Sequence, residues 1–223
     1  MGTTEIAGYR FADDALVAEA LTHSSFLHEH ADEGVRDFER LEFLGDAVVD
    51  LVIGDELFHR FPDATEGELT SLRAMLVSST ALAEIGRALG LPERARLGRG
   101  EDESGGRLRA GLAASLYESF VGAVYAEAGL ERARAIVLDT MGDAIDDLAG
   151  APLKSSKARL QEWAQGEKLA LPVYRMLEAT GPEHRRDFVV EVEAAGQVAR
   201  GTGPSKREAQ EDAATKLLEM LTK

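Results

Sequence analysis

Apolar residues recur three and four positions apart through the first two thirds of the chain, the period of a helix that buries one face. This spacing predicts helices over residues 12–22, 36–61, 67–89, 107–128 and 130–148. Proline and glycine end them, at Phe61-Pro62-Asp63, Leu91-Pro92-Glu93, Gly98 to Gly106 and Gly129, because neither residue continues a helix well. The acid-rich run Glu101-Asp102-Glu103-Ser104-Gly105-Gly106 reads as an exposed loop. Beyond Ala149-Gly150-Ala151-Pro152 the period changes. A helix over 156–168 is followed by alternating, strand-like runs over 173–180, 188–194 and 198–202, and by a closing helix over 205–221. Gly181-Pro182-Glu183-His184 and Ala195-Gly196 supply the turn chemistry between strands. The expected architecture is therefore an all-α domain over 1–148, a linker over 149–152, and a small α+β domain of α-β-β-β-α order over 153–223.

Within the second predicted helix the polar side is unusual. At about 100° per residue, with Glu39 at zero, Glu42 falls near −60°, Asp46 near −20° and Asp50 near 20°, while Leu41, Leu44, Val48, Leu51 and Val52 lie roughly opposite. Phe43, Val49 and Ile53 flank the acids with apolar side chains. Two readings stand: a solvated acidic face, or like charges under partial cover that persist by protonating or by sharing a cation. A second carboxylate is isolated in an apolar run. In LAASLYESFVGAVYA, residues 112–126, Glu118 is the one charged residue, and an unpaired Glu is seldom buried. Either it faces outward or pairs with Arg107 or Arg109, or it joins the acids of the other helix around Mg²⁺, which takes carboxylates and waters in octahedral geometry.

Charge sharpens the contrast between the two parts. The 223 residues carry a formal charge of −15; residues 1–148 hold 13 Arg and no Lys against 29 acids, whereas residues 149–223 hold 12 basic residues against 11 acids. Phosphate attraction usually shows as a basic footprint, so an RNA-binding role has to rest on particular side chains. There is no cysteine, hence no disulfide or thiolate metal site. No apolar run approaches the roughly 18 residues of a membrane span, and the N-terminus lacks a basic segment leading into an apolar one. A cytoplasmic protein without membrane contact is expected.

The motifs carry a resemblance. ERLEFLGDA at 39–47 resembles the signature helix of the bacterial ribonuclease III family, and GPEH at 181–184 with GTGPSKREAQEDAA at 201–214 resembles a double-stranded-RNA-binding domain. Leu21-Thr22-His23-Ser24-Ser25, Glu66-Gly67-Glu68-Leu69-Thr70 and Gly122-Ala123-Val124-Tyr125 fall where further blocks of that family are expected. The resemblance implies an endoribonuclease that cuts double-stranded RNA to 5′-phosphate and 3′-hydroxyl ends in ribosomal-precursor and mRNA processing, with Mg²⁺, or Mn²⁺ in its place, as cofactor. It implies Glu42, Asp46 and Glu118 as metal ligands and Glu39 and Glu66 as further active-site acids. Ser115 stands where the family usually has an Asp ligand, and a neutral hydroxyl binds Mg²⁺ weakly. That departure leaves open a second reading, a double-stranded-RNA-binding regulatory protein with impaired catalysis. By the same resemblance, Phe43 inserts into a socket on a second subunit of a two-fold homodimer, whose paired sites leave 3′ overhangs. Gln161, Glu162 and Gln165 reach 2′-hydroxyls and base edges, and Pro182 and His184 belong to a loop entering a second minor groove. Ser205, Lys206 and Arg207 meet phosphate at a helix start. Arg99 and Arg109 are further phosphate candidates. Gln210 occupies a position where many relatives carry Lys, and Trp163 is expected in the core.

Overall fold

The computed structural model describes residues 4–31, 34–149, 155–181 and 186–222. The chain divides into two compact units, Met1–Ala151 and Pro152–Lys223.

The first unit opens with a hairpin of two very short strands, β1 (Glu5–Ile6) and β2 (Tyr9–Arg10), which the sequence pattern did not reveal. Helices α1 (Asp14–Ala20), α2 (Ser24–Glu29), α3 (Glu39–Arg60), α4 (Glu66–Leu76), α5 (Ser79–Ala88), α6 (Leu91–Arg94), α7 (Arg99–Glu103) and α8 (Ala110–Ala149) follow. The segment expected over 12–22 stops early because its exit is tied down. The Arg96 amide donates to the Leu21 carbonyl at 2.7 Å and the His23 amide to the Arg96 carbonyl at 2.9 Å. The single helix expected over 67–89 is two. Ser78 takes a β conformation and its hydroxyl accepts from the Ala81 amide, which caps α5 and ends α4 at Val77. Thr65 and Glu68 form a reciprocal capping box at the start of α4. The stretch expected as an exposed loop folds into α7 and a 3₁₀ turn over Gly106–Leu108, pinned by Arg109 to Glu101 and by Arg107 to Asp102.

Helix α8 is the axis of this unit. Gly129 breaks it with φ 79° and ψ −177°, backbone that only glycine adopts freely, so the predicted pair of helices meets there end to end. On its first half Ala113, Leu116, Tyr117, Phe120, Val121, Ala123 and Val124 are buried. They pack against α5 and against Leu41, Val48, Val49, Val52, Ile53 and Leu57 of α3.

The second unit has the expected order: α9 (Ser156–Gly166), β3 (Val173–Thr180), β4 (Asp187–Ala194), β5 (Gln197–Gly203) and α10 (Lys206–Leu221). The sheet is antiparallel in the order β3-β4-β5, with Val173 opposite Glu193 and Phe188 opposite Gly203. Ala195 and Gly196, at φ 52° and 73°, form a two-residue hairpin turn. Leu160, Val192, Ala194, Ala199, Ala213, Ala214, Leu217 and Leu218 make the core, with Trp163 and Tyr174 packed on its edge. Trp163 is thus a packing residue.

Candidate active site and RNA-binding face

Two glycines bring the acids together. A Cβ at Gly45 would lie 1.8 Å from the Glu118 carbonyl oxygen, and one at Gly122 2.1 Å from that of Leu41. Helices α3 and α8 therefore touch backbone to backbone, which sets the carboxylates of α3 beside Glu118. The rotation of α8 is fixed by buried neighbours: the Tyr117 hydroxyl shares a 2.7 Å hydrogen bond with Thr140, and the Ser119 hydroxyl donates to the Ala20 carbonyl at 2.9 Å. With Tyr117, Ser119 and Phe120 turned inward, Glu118 is left half-buried at the α3 seam.

Its carboxyl is pushed up to about 7, first by burial and then by the charges of Asp46, Glu42 and Asp50. The outward and Arg-paired readings of Glu118 fall away, since Arg107 binds Asp102 and Arg109 binds Glu101. Asp50, on the predicted acidic face but assigned no role, belongs to the cluster. Glu39, Glu42 and Ser115 share a hollow of about 440 Å³ with His23, Phe38, Glu101, Arg109 and Leu112. His23 comes from the Leu21–Ser25 block, whose contribution spacing alone did not disclose.

Among the described residues no three His, Asp or Glu side chains form a ready-made metal cluster. Glu42, Asp46 and Glu118 stand near enough to interact electrically but are not drawn into one coordination shell, as like charges would not be. The donor set nevertheless suits a hard divalent cation. It consists of carboxylate oxygens, and Glu118 carries a like-charge load that such an ion would relieve.

Glu66 is elsewhere. It accepts from the Thr70 hydroxyl at 2.9 Å and lines a separate hollow of about 420 Å³ with Gly54, Leu57, Phe58, Ala64, Leu69 and Arg73. Phe43 is left open to solvent, 80% exposed. Of the arginines considered for phosphate, Arg99 pairs with Glu103 at 2.7 Å and Arg109 with Glu101 at 2.7 Å.

In the second unit Gln161, Glu162 and Gln165 lie exposed on α9. Lys206 and Arg207 are exposed on the first turn of α10, whose free amides Ser205 caps by accepting from the Glu208 amide. A Cβ at Gly201 would lie 2.1 Å from the Ala213 amide nitrogen, so β5 is pressed directly against α10. Pro182 and His184 lie outside the described residues.

Comparison with known proteins places both units. Residues 13–145 match a family model described as Ribonuclease-III-like, and residues 156–221 match the Double-stranded RNA binding motif. A Ribonuclease 3 of Listeria monocytogenes is 40% identical over 98% of this chain and 96% of its own length. One from Xanthomonas axonopodis is 45% identical over 96% and 93%. Among solved structures, the nuclease domain of ribonuclease III from Campylobacter jejuni, flexible in a region involved in its dimer formation, superposes with a TM-score of 0.57 at 39% identity. It covers 61% of this chain and 92% of its own.

Proposed function

The chain belongs to the ribonuclease III family of endoribonucleases, and we propose that it hydrolyses double-stranded RNA with Mg²⁺ as cofactor, leaving 5′-phosphate and 3′-hydroxyl ends, in the processing of ribosomal precursors and mRNA in the cytoplasm. The observation that supports this reading best is Glu118, set by backbone contact of two helices within electrostatic reach of Asp46 and Glu42, with its carboxyl pushed up to about 7.

In this mechanism Glu42, Asp46 and Glu118 would hold the cation. It would supply Lewis acidity toward the scissile phosphate and toward a water. Glu39, exposed at the mouth of the hollow, orients water and substrate. The exposed cations of α10 and the polar face of α9 grip the duplex by its A-form shape, through minor-groove 2′-hydroxyls and phosphates. No helix among the described residues is long and apolar enough to cross a membrane.

A homodimer accounts for the residues that one subunit keeps apart. Phe43, with Leu51 and Phe58 of the same helix at 56% and 64% exposure, forms an apolar strip too large to leave wet. The hollow lined by Leu57, Phe58 and Leu69 has the chemistry to receive a ring. Glu66 borders that hollow and Glu42 adjoins Phe43 in sequence, so seating each Phe43 in the opposite subunit carries each Glu66 toward the other's acids. Two sites related by a two-fold axis then face the two strands of one duplex and cut with an offset.

Ser115 favours the rival reading, an RNA-binding regulator with failed chemistry. Titrating Mg²⁺ into a long duplex RNA with the full chain decides between them. Staggered fragments bearing 5′-phosphates support the nuclease, whereas tight binding with no cleavage at saturating metal supports the regulator. In the first case Ser115→Asp tightens Mg²⁺ by roughly ten-fold, about 1.4 kcal/mol, in calorimetric titration. An unchanged affinity would place position 115 away from the ion.

A further inference from the structure

We propose that Lys157 is a phosphate contact of the duplex-binding unit, held in place by Gln210 on α10. This deepens the double-stranded-RNA reading above and rests on it. Lys206 and Arg207 stand four and three residues before Gln210, so each neighbours it on the first two turns of α10. The first two are exposed cations, and the third is neutral. Taken by itself, α10 therefore offers a duplex two charges beside Gln210.

A third arrives from the neighbouring helix. The Lys157 ammonium donates to the Gln210 side-chain oxygen at 2.8 Å and sits 5.0 Å from the centre of the Tyr174 ring on β3. Its backbone is anchored as well. The Lys157 amide donates to a Glu211 carboxylate oxygen at 3.3 Å, and the adjacent Ser156 hydroxyl shares a 2.6 Å hydrogen bond with that of Thr215. A lysine ordinarily loses considerable rotamer freedom on gripping a ligand. Here the side chain is ordered beforehand, which lowers that cost. An ammonium has three donors; Gln210 takes one and the aromatic face another, leaving a donor for a phosphate oxygen.

The side chain at 210 fits this arrangement. A glutamine accepts from Lys157 where a second ammonium would repel it, and its own amide N–H groups extend the donor row begun by Lys206. A third charge thus reaches that part of α10 across the α9–α10 seam. A merely structural clamp would use the same hydrogen bond and the same ring, so the discriminating quantity is the number of counterions displaced, not affinity alone.

The experiment uses the full chain in EDTA, so that no cleavage occurs, with a duplex of about 30 base pairs, longer than the roughly 16 that such a domain spans. Fluorescence anisotropy is followed across salt, and melting temperature is recorded for each variant. Lys157→Gln is expected to weaken binding several-fold at low salt and to make the slope of log K against log salt shallower by about one. The double variant K157Q/Q210K is expected to restore the slope. A wild-type slope in Lys157→Gln overturns the proposal, and so does a Q210K change that fails to compensate. If Lys157→Gln unfolds the unit, Lys157→Met, which keeps the apolar stem on Tyr174, is read by the same two criteria. A wild-type chain that does not prefer duplex over single-stranded RNA sinks the functional reading itself, a result distinct from an unaltered slope.

Discussion

Glu118 is where the proposed chemistry and stability pull in opposite directions. Its folded carboxyl keeps a proton up to about pH 7, whereas the ordinary value is 4.5. Between those values the folded protein binds more protons than the unfolded one, so stability falls as pH rises through that window. Glu127, which accepts from the Tyr9 hydroxyl, and Asp212, which accepts from the Lys216 ammonium, are shifted the other way. Their contributions are lost on acidification and stay constant above about pH 5, which isolates Glu118. Metal-free protein is therefore expected to melt at lower temperature at pH 8 than at pH 5.5. Glu118→Gln should flatten that dependence and add about 1 kcal/mol at pH 8, a figure reduced for the screening of a half-exposed group. The same variant should lose roughly a thousand-fold in cleavage, about 4 kcal/mol, while binding duplex as before. Scanning calorimetry across pH with and without Mg²⁺ checks the first half. If Glu118→Gln leaves the pH profile unchanged, the carboxyl does not bear the like-charge load assigned to it.

At the scale of elements, the decisive contact is the one between α3 and α8. Gly45→Ala would force a methyl group into the Glu118 carbonyl, 1.8 Å from the ideal Cβ position, and the helices must separate. A loss of about 3 kcal/mol is expected from such overpacking, together with weaker Mg²⁺ binding in the protein that remains folded, since Asp46 and Glu42 retreat from Glu118. Denaturant unfolding and metal titration of the same sample test both parts; an undiminished metal affinity would mean that the acids do not depend on this crossing. Periodicity had made α3 and α8 legible, and Glu118 stood out as a lone charge in an apolar run. What joins the two helices was not legible, because glycine contributes nothing to a hydrophobic pattern and its meaning appears only when a second backbone lies on top of it. The α4–α5 break escaped for a related reason: the buried Leu72, Leu76 and Ala83 keep the helical period across it, and only the side chain of Ser78 records the interruption. The hairpin of β1 and β2 is too short to show alternation at all.

For the whole molecule, the uneven charge means that duplex RNA is gripped by a nearly neutral unit and cut by a strongly acidic one. Attraction to phosphate therefore depends on few cations, and it is screened steeply by salt. The sequence disclosed this imbalance and the candidate acids, but not which of them share a hollow. Glu66 illustrates the difference. Its motif suggested an active-site acid, yet it lies on the hollow beside Leu57 and Phe58 and not in the one shared by Glu39, Glu42 and Ser115. Under the proposed homodimer, association of two copies would resolve that separation, with Phe43 as its lever. At 80% exposure the ring contributes little to the fold of its own subunit, so Phe43→Ala should leave the melting temperature of an isolated subunit almost unchanged. Transferring a Phe side chain from water into a preformed apolar hollow is worth about 2 kcal/mol, and a two-fold interface uses it twice, so about 4 kcal/mol of association is lost, roughly a thousand-fold in the dimer dissociation constant. Sedimentation equilibrium should accordingly find monomer at micromolar concentrations, with cleavage reduced in step and duplex binding by the second unit retained. A variant that remains dimeric would assign Phe43 to another partner, and one that is monomeric yet fully active would remove the need for Glu66 to cross between subunits.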